Sequence, residues 1–197
     1  CEASRVQGKC EDLALVCALC NNTQLQLDEE NDKLIGTGNP TELALMVWTY
    51  KLSLPPSYFQ EEYGWQHCGC HEFTSDTKCM STGIIRPARN EQVEIDYTLP
   101  PESKILIKGS PEAILPKCYN LPHLSVITDK VEHLASQGFL VLACATANHL
   151  QLNINEGQQL HHYDRCEVES NGKFLFSGLV VLADPPREES FHAVQKC

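Results

Sequence analysis

A pocket for a purine nucleotide needs an aromatic ring to stack on the base, ammonium groups to face phosphate or pack over the ring, and a carboxylate to accept from an exocyclic amine. Three segments of this chain supply such groups. EFTSDTKCMS (residues 72–81) sets Phe73 among hydroxyls, with Lys78 five residues on. KILIKGSPEAIL (residues 104–115) carries Lys108 out of an apolar run into a Gly-Ser-Pro turn. VVLADPPREE (residues 180–189) ends an apolar run in Asp184, a stiff Pro185–Pro186 pair and Arg187. Each segment alone is a weak signal, and their force lies in the combination.

These groups must be held by regular elements. Glu11–Cys20 has helical periodicity, with Leu13, Val16, Cys17 and Cys20 on one face. A polar, acidic loop follows through Asp28–Lys33. In GNPTELALMVWTYKL, Asn39 is an N-cap, Pro40 suits the first helical position, and Glu42 stands where a capping box places its acid. Residues 53–70, rich in Pro, Gly, Tyr and Trp, read as loop or edge. CMSTGIIR, QVEIDYTL and SKILIKG are short β-rich runs separated by turn residues, the pattern of an antiparallel meander. Ser110 opens a short helix over 111–118, and a second helix spans 125–136, stopped near Gly138. The apolar runs 139–146 and 174–182 read as central strands, with a polar loop bearing His161 and His162 between them. The expected fold is α+β, an antiparallel β-sheet flanked by helices.

The chain has 197 residues, enough for one sizeable core. Twenty-six acidic residues against fifteen Lys and Arg give a net charge of -11. A surface that acidic disfavours nucleic acid, whose backbone it repels, but not a single nucleotide in a local basic pocket. Neither of the longest apolar stretches reaches the roughly 18 residues of a membrane span, so this chain is not expected to be membrane-inserted. Eleven cysteines at irregular spacing, several inside apolar runs such as Cys17, Cys20 and Cys144, read as reduced thiols in a cytosolic setting. His67, Cys68, Cys70 and His71 are too crowded to give one zinc ion more than two or three bonds, and no metal site is expected.

Taken in order, ALCNN (18–22), GNPTELAL (38–45), EFTSDTKCMS (72–81), IKGSPEAIL (107–115), GFLVLACA (138–145) and DPPREE (184–189) resemble the nucleotide-binding domain of P-type ATPases, nearest to the cation pumps of the calcium and sodium/potassium branch. The resemblance implies residues 1–183 as the nucleotide-binding domain, and 184–197 as a hinge and the start of a phosphorylation domain. It implies ATP as ligand, with Mg2+ in the full-length pump. Phe73 matches the aromatic that stacks on adenine, Lys78 a lysine near the phosphates, and Lys108 the lysine lining the adenine pocket. Gly109 would allow close approach of the ligand, and Glu42 would accept from the adenine amine. Asp184 and Arg187 match the hinge, where the arginine also approaches the phosphates. Implied partners are the phosphorylation and actuator domains of the same chain, at the cytosolic face of the membrane that houses a multi-pass parent protein.

Two observations limit that reading. Where the family commonly has a phosphate-contacting arginine, GFLVLACA has Leu140, which supplies no charge-assisted hydrogen bond. Binding is therefore expected to be weak unless Arg86, Arg89 or Arg165 reaches in. The alternative is a degenerate regulatory or structural domain of a pump-like membrane protein with little or no nucleotide binding. There is also no Asp-Lys-Thr-Gly-Thr segment, so no catalytic residue is assigned and this piece by itself is not expected to turn ATP over. Glu42 has a competing use in closing the capping box on Asn39.

Overall fold

A computed structural model describes residues 2–28, 33–87, 102–119, 121, 123–148, 160, 164–171 and 174–184. Helix α1 spans Glu2–Leu19, longer at its start than the periodicity from Glu11 suggests. Its last seven residues, Leu13–Leu19, are all apolar, and Ala14–Cys20 are all buried. A helix of that kind must be covered all round, and here it lies between the main sheet and the helices α2 (Pro40–Lys51) and α3 (Pro56–Glu61). Helix α2 starts as its sequence dictates. Asn39 Oδ1 accepts from the Thr41 N–H at 2.8 Å, and Pro40 occupies the first turn, where a missing N–H costs nothing.

A two-stranded antiparallel hairpin, β1 (Gln24–Asp28) with β2 (Lys33–Thr37), frames the stretch read as an acidic loop. The period-two alternation of QLQLD was the available signal. The main sheet has five strands: β3 (Gln66–His71), β4 (Cys79–Arg86), β5 (Glu102–Gly109), β6 (Leu140–Asn148) and β7 (Leu175–Leu182). They lie in sequence order, and every pairing is antiparallel, as expected of a meander. QVEIDYTL lies outside the described residues. Within 53–70, α3 precedes β3, which is an edge strand.

Two expectations need correction. The run 174–182 was read as a central strand, yet β7 is the other edge among the described strands, pairing only with β6. Its apolar content is left partly in solvent, with Leu175 and Val181 exposed. The stretch before it, read as a polar loop, contains helix α6 (Arg165–Asn171), which buries Val168 and Glu169. His161 and His162 lie outside the described residues.

Strand alternation sends side chains to two cores. Met80, Ile84, Leu106, Cys144 and Val180 pack under α1, α2 and α3. Cys79, Ile105, Ile107, Ala143 and Ala145 pack on the opposite face with Ile114 of α4 (Pro111–Ile114), Val168 and Phe174. A 3-10 turn, Leu115–Lys117, continues α4, and α5 (Leu124–Ser136) turns only Val131 fully inward. Among the described residues no helix is long and apolar enough to cross a membrane. The described cysteines are free thiols.

Candidate functional site

Lys108 is even-numbered on β5, so it emerges on the same face as Leu106, beneath α2. It is the one described lysine that is buried, at 5% exposure. A buried ammonium needs a counter-charge, and it has one. Glu42, in the first turn of α2, places Oε1 2.7 Å from Lys108 Nζ. At that distance carboxylate and ammonium neutralise each other. Glu42 Oε2 accepts from the Asn22 N–H at 3.3 Å. The capping-box role is therefore not the one Glu42 adopts: its carboxylate turns toward Asn22 and Lys108, and Asn39 caps through Thr41 instead.

The pair lines a cavity of about 410 Å³, within the range of roughly 300–1,000 Å³ usual for small-molecule sites. Phe73, Met80, Gly109, Leu140 and Leu142 share the lining, with Asn22, Asn39, Thr41 and Glu72 as polar members. Phe73 is 60% exposed although it is a large aromatic. It is not core, and its ring is available to a ligand entering the cavity. Four of the residues singled out in the sequence, Glu42, Phe73, Lys108 and Gly109, thus converge on one site.

The others do not line it. Lys78 is exposed, in a left-handed backbone conformation (φ 50°) at the end of a turn, where its carbonyl accepts from the Ser110 N–H at 2.9 Å. Asp184 follows β7 and is exposed away from the lining. Arg187 lies outside the described residues. Gly109 has a role beyond ligand approach: a Cβ there would collide with the Lys78 carbonyl oxygen and come within 2.7 Å of Cys79 Cα. Close packing of β5 on the start of β4 already requires the glycine.

Neither described arginine proposed to stand in for the missing one reaches the cavity. Arg86 pairs with Glu102 at 2.6 Å and lies 4.6 Å over the Trp65 ring. Arg165 pairs with Glu169 at 2.8 Å, donates to the Glu72 carbonyl at 2.7 Å and bonds the Cys79 carbonyl. Arg89 lies outside the described residues. The crowded His67–His71 segment is a strand, and its groups disperse. His67 Nε2 meets the Leu19 carbonyl at 3.2 Å, and the Cys70 thiol meets Asn22 Oδ1 at 3.9 Å.

Sequence reasoning gave no role to the Asn21–Asn22 pair that builds the site, nor to a buried carboxylate on the other face of the sheet. Asn21 Nδ2 donates to the carbonyls of Cys17 and Glu42, tying the end of α1 to the start of α2, while its Oδ1 accepts from Thr23. Asn22 then supplies its N–H to Glu42. An Asn-Asn pair directly after a helical run was the available signal. That carboxylate is Glu169, 4% exposed, which accepts from Arg165 and Ser81, faces Lys117 at 3.7 Å and takes the Cys79 thiol hydrogen at 3.3 Å. Burial and then the Glu169 charge push the Cys79 thiol pKa up. Nothing in the local sequence around Glu169 marks it as buried.

A family model described as "P-type ATPase, cytoplasmic domain N" matches residues 9–189. Similar curated proteins include a "Probable cation-transporting P-type ATPase" of Mycoplasma genitalium, 29% identical over 94% of this chain and 18% of its own length. The "Sodium/potassium exporting P-type ATPase cta3" of Schizosaccharomyces pombe is 29% identical over 94% of this chain and 16% of its own. The "Endoplasmic reticulum calcium ATPase srcA" of Aspergillus fumigatus is 27% identical over 94% and 21% respectively. This chain therefore spans about a fifth or less of the length of these relatives.

Proposed function

Because the chain belongs to the P-type ATPase cytoplasmic N-domain family, we propose that it is the ATP-holding domain of a cation-transporting ATPase, placed at the cytosolic face of the membrane. The observation that carries this reading is the exposed Phe73 ring on the same cavity as the Glu42–Lys108 pair. In it, Phe73 stacks on adenine and Lys108 packs against the ring. Glu42 accepts from the exocyclic amine. A carboxylate offers about four lone-pair sites, and Glu42 commits one oxygen to Lys108 and the other to Asn22, leaving room for a third donor.

The domain's contribution to turnover is proximity. Holding ATP and swinging about the Asp184–Arg187 hinge would bring the γ-phosphate to an aspartate in the phosphorylation domain, with Lys78 travelling on the phosphate side. In-line phosphoryl transfer gains most from such positioning. Mg2+, when bound with the nucleotide, supplies charge neutralisation at the phosphoryl oxygens. Among the described residues no group of three or more His, Cys, Asp and Glu is arranged to hold it here.

The test is an amide NMR titration of the chain with ATP and GTP, repeated on Phe73→Ala. A complex on the order of 0.1–several mM is expected, preferring adenine, with shifts at Glu42, Phe73 and Lys108. Stacking worth about 1–3 kcal/mol should vanish in the variant while the fold stays intact, since Phe73 is mostly in solvent. A folded chain showing no shifts at about 10 mM ATP would instead identify a pump relative that has abandoned nucleotide.

A further inference from the structure

The connection that carries Phe73 is held from the other face of the sheet. Residues 72–78 join β3 to β4 and turn on themselves. The Lys78 N–H donates to the Thr74 carbonyl at 2.8 Å, and the Thr74 and Thr77 hydroxyls meet at 2.7 Å. Packing does not set the Phe73 ring, which is mostly in solvent, so its aim depends on how the connection is anchored. One guanidinium reaches both ends. Arg165 Nη1 donates to the Glu72 carbonyl at 2.7 Å, and Nη2 donates to the Cys79 carbonyl. Arg165 is itself oriented. Asp164 Oδ1 accepts from the Cys166 N–H at 2.7 Å and caps α6, and Arg165 Nε donates to Glu169 Oε1 at 2.8 Å one turn on. Glu169 is fixed to β4 in turn, by the Ser81 hydroxyl at 3.1 Å and the Cys79 thiol at 3.3 Å.

We propose that Arg165 is a positioning residue for Phe73: its guanidinium straps together the two feet of the 72–79 connection and presets the ring at the cavity, without itself touching a ligand. The proposal rests on the nucleotide reading above and deepens it. The Cys79 foot is already held by the ladder, opposite Gly109 of β5. The Glu72 foot lies just past the end of β3, an edge strand among the described ones, so the strap matters most there. The Glu72 carbonyl belongs to the peptide plane that includes the Phe73 nitrogen. Holding that carbonyl sets the direction in which the ring leaves the backbone. Only a planar fork with donors on several sides can serve two carbonyls and a carboxylate at once. A lysine would keep the charge opposite Glu169 but not the span. Without the strap the connection samples many ring positions, and a ligand must bear the cost of ordering it.

The experiment compares the natural chain with Arg165→Lys by NMR, first without ligand and then with ATP. The fold should accept lysine, because Arg165 is partly exposed and the charge facing Glu169 is kept. Without ligand, the Lys78 amide should exchange about tenfold faster in the variant while the β5 amides stay unchanged. ATP should bind the variant about fivefold more weakly. Transferred contacts between the Phe73 ring and the adenine protons should fade, while Glu42 and Lys108 still shift. Weaker binding with those ring contacts intact would overturn the proposal, since Arg165 would then act by another route. Unchanged affinity and unchanged Lys78 exchange would overturn it too, and leave ATP binding standing. If the variant does not fold, the Arg165 Nε–H of the natural chain decides. Slow exchange with water is expected there, and exchange as fast as that of a solvated arginine overturns the strap. A natural chain that shows no shift with ATP overturns the nucleotide reading and takes this proposal with it.

Discussion

Glu42 on α2 and Lys108 on β5 form an ion pair at 2.7 Å inside the cavity that both line, with side-chain exposures of 17% and 7%. The pair fastens the first turn of α2 to the centre of the sheet, so it is structural as well as a ligand-facing device. Removing either partner strands a charge in a poorly solvated place. Glu42→Gln and Lys108→Met should each destabilise the chain by about 3 kcal/mol in urea unfolding. The double variant should lose less than the sum. Strict additivity would show that the two charges do not interact.

Gly109→Ala tests whether the glycine serves the chain or only a ligand. The added methyl would run into the Lys78 carbonyl and Cys79, so β4 and β5 must part locally at a cost of about 1–3 kcal/mol. The expected result is a lower unfolding midpoint without any nucleotide present. Unchanged stability with lost nucleotide binding would assign the glycine to the ligand alone.

Glu169 fixes α6 to β4 through Ser81, Cys79 and its own helix's Arg165. Glu169→Gln should cost on the order of 2 kcal/mol, below the roughly 3–5 kcal/mol of a fully buried broken pair, because Arg165 is partly exposed and keeps its carbonyl acceptors. Amide exchange should quicken over 165–171 before it does in β5. Equal protection of 165–171 in the natural chain and in Glu169→Gln would refute the pinning role.

The buried thiols give the chain an alkaline limit. Burial pushes the pKa of Cys20 from the usual 9.0 to about 11, with the Lys108 ammonium opposing, and burial raises Cys68 and Cys118 to about 11 as well. Above pH 9 the unfolded chain loses these protons while the folded one keeps them. The folded state then binds more protons, and stability falls as pH rises. It should be complete below about pH 9 and decline toward pH 11. Native alkylation at pH 8 should mark exposed Cys166 and spare Cys17, Cys20 and Cys144. Rapid native labelling of Cys20 would contradict its burial.

Local patterns were legible where the chain decides its own conformation. The Asn39–Pro40 start of α2, the alternating CMSTGIIR and KILIKG strands, and the stop near Gly138 follow from capping, pleat and turn chemistry within a few residues. The β1–β2 hairpin was missed because its charged connection outweighed the alternation on either side. The α6 segment was missed because seven largely polar residues carry no helical stripe, and it is Glu169's partners on β4 and at Lys117 that make its burial tolerable.

The sequence by itself determined the family motifs, the α+β class and the types of side chain available to a nucleotide, since these depend on residue identity and short-range spacing. Only the tertiary structure decided which of them meet. Strand alternation aims Lys108 beneath α2, and Asn21 ties α1 to α2 so that Glu42 turns to Lys108 instead of its own helix end. The same packing commits Arg86 and Arg165 to other partners, leaving Leu140 at the lip. Which charges are spent and which remain available is a property of contacts between distant segments, and no local spacing encodes it.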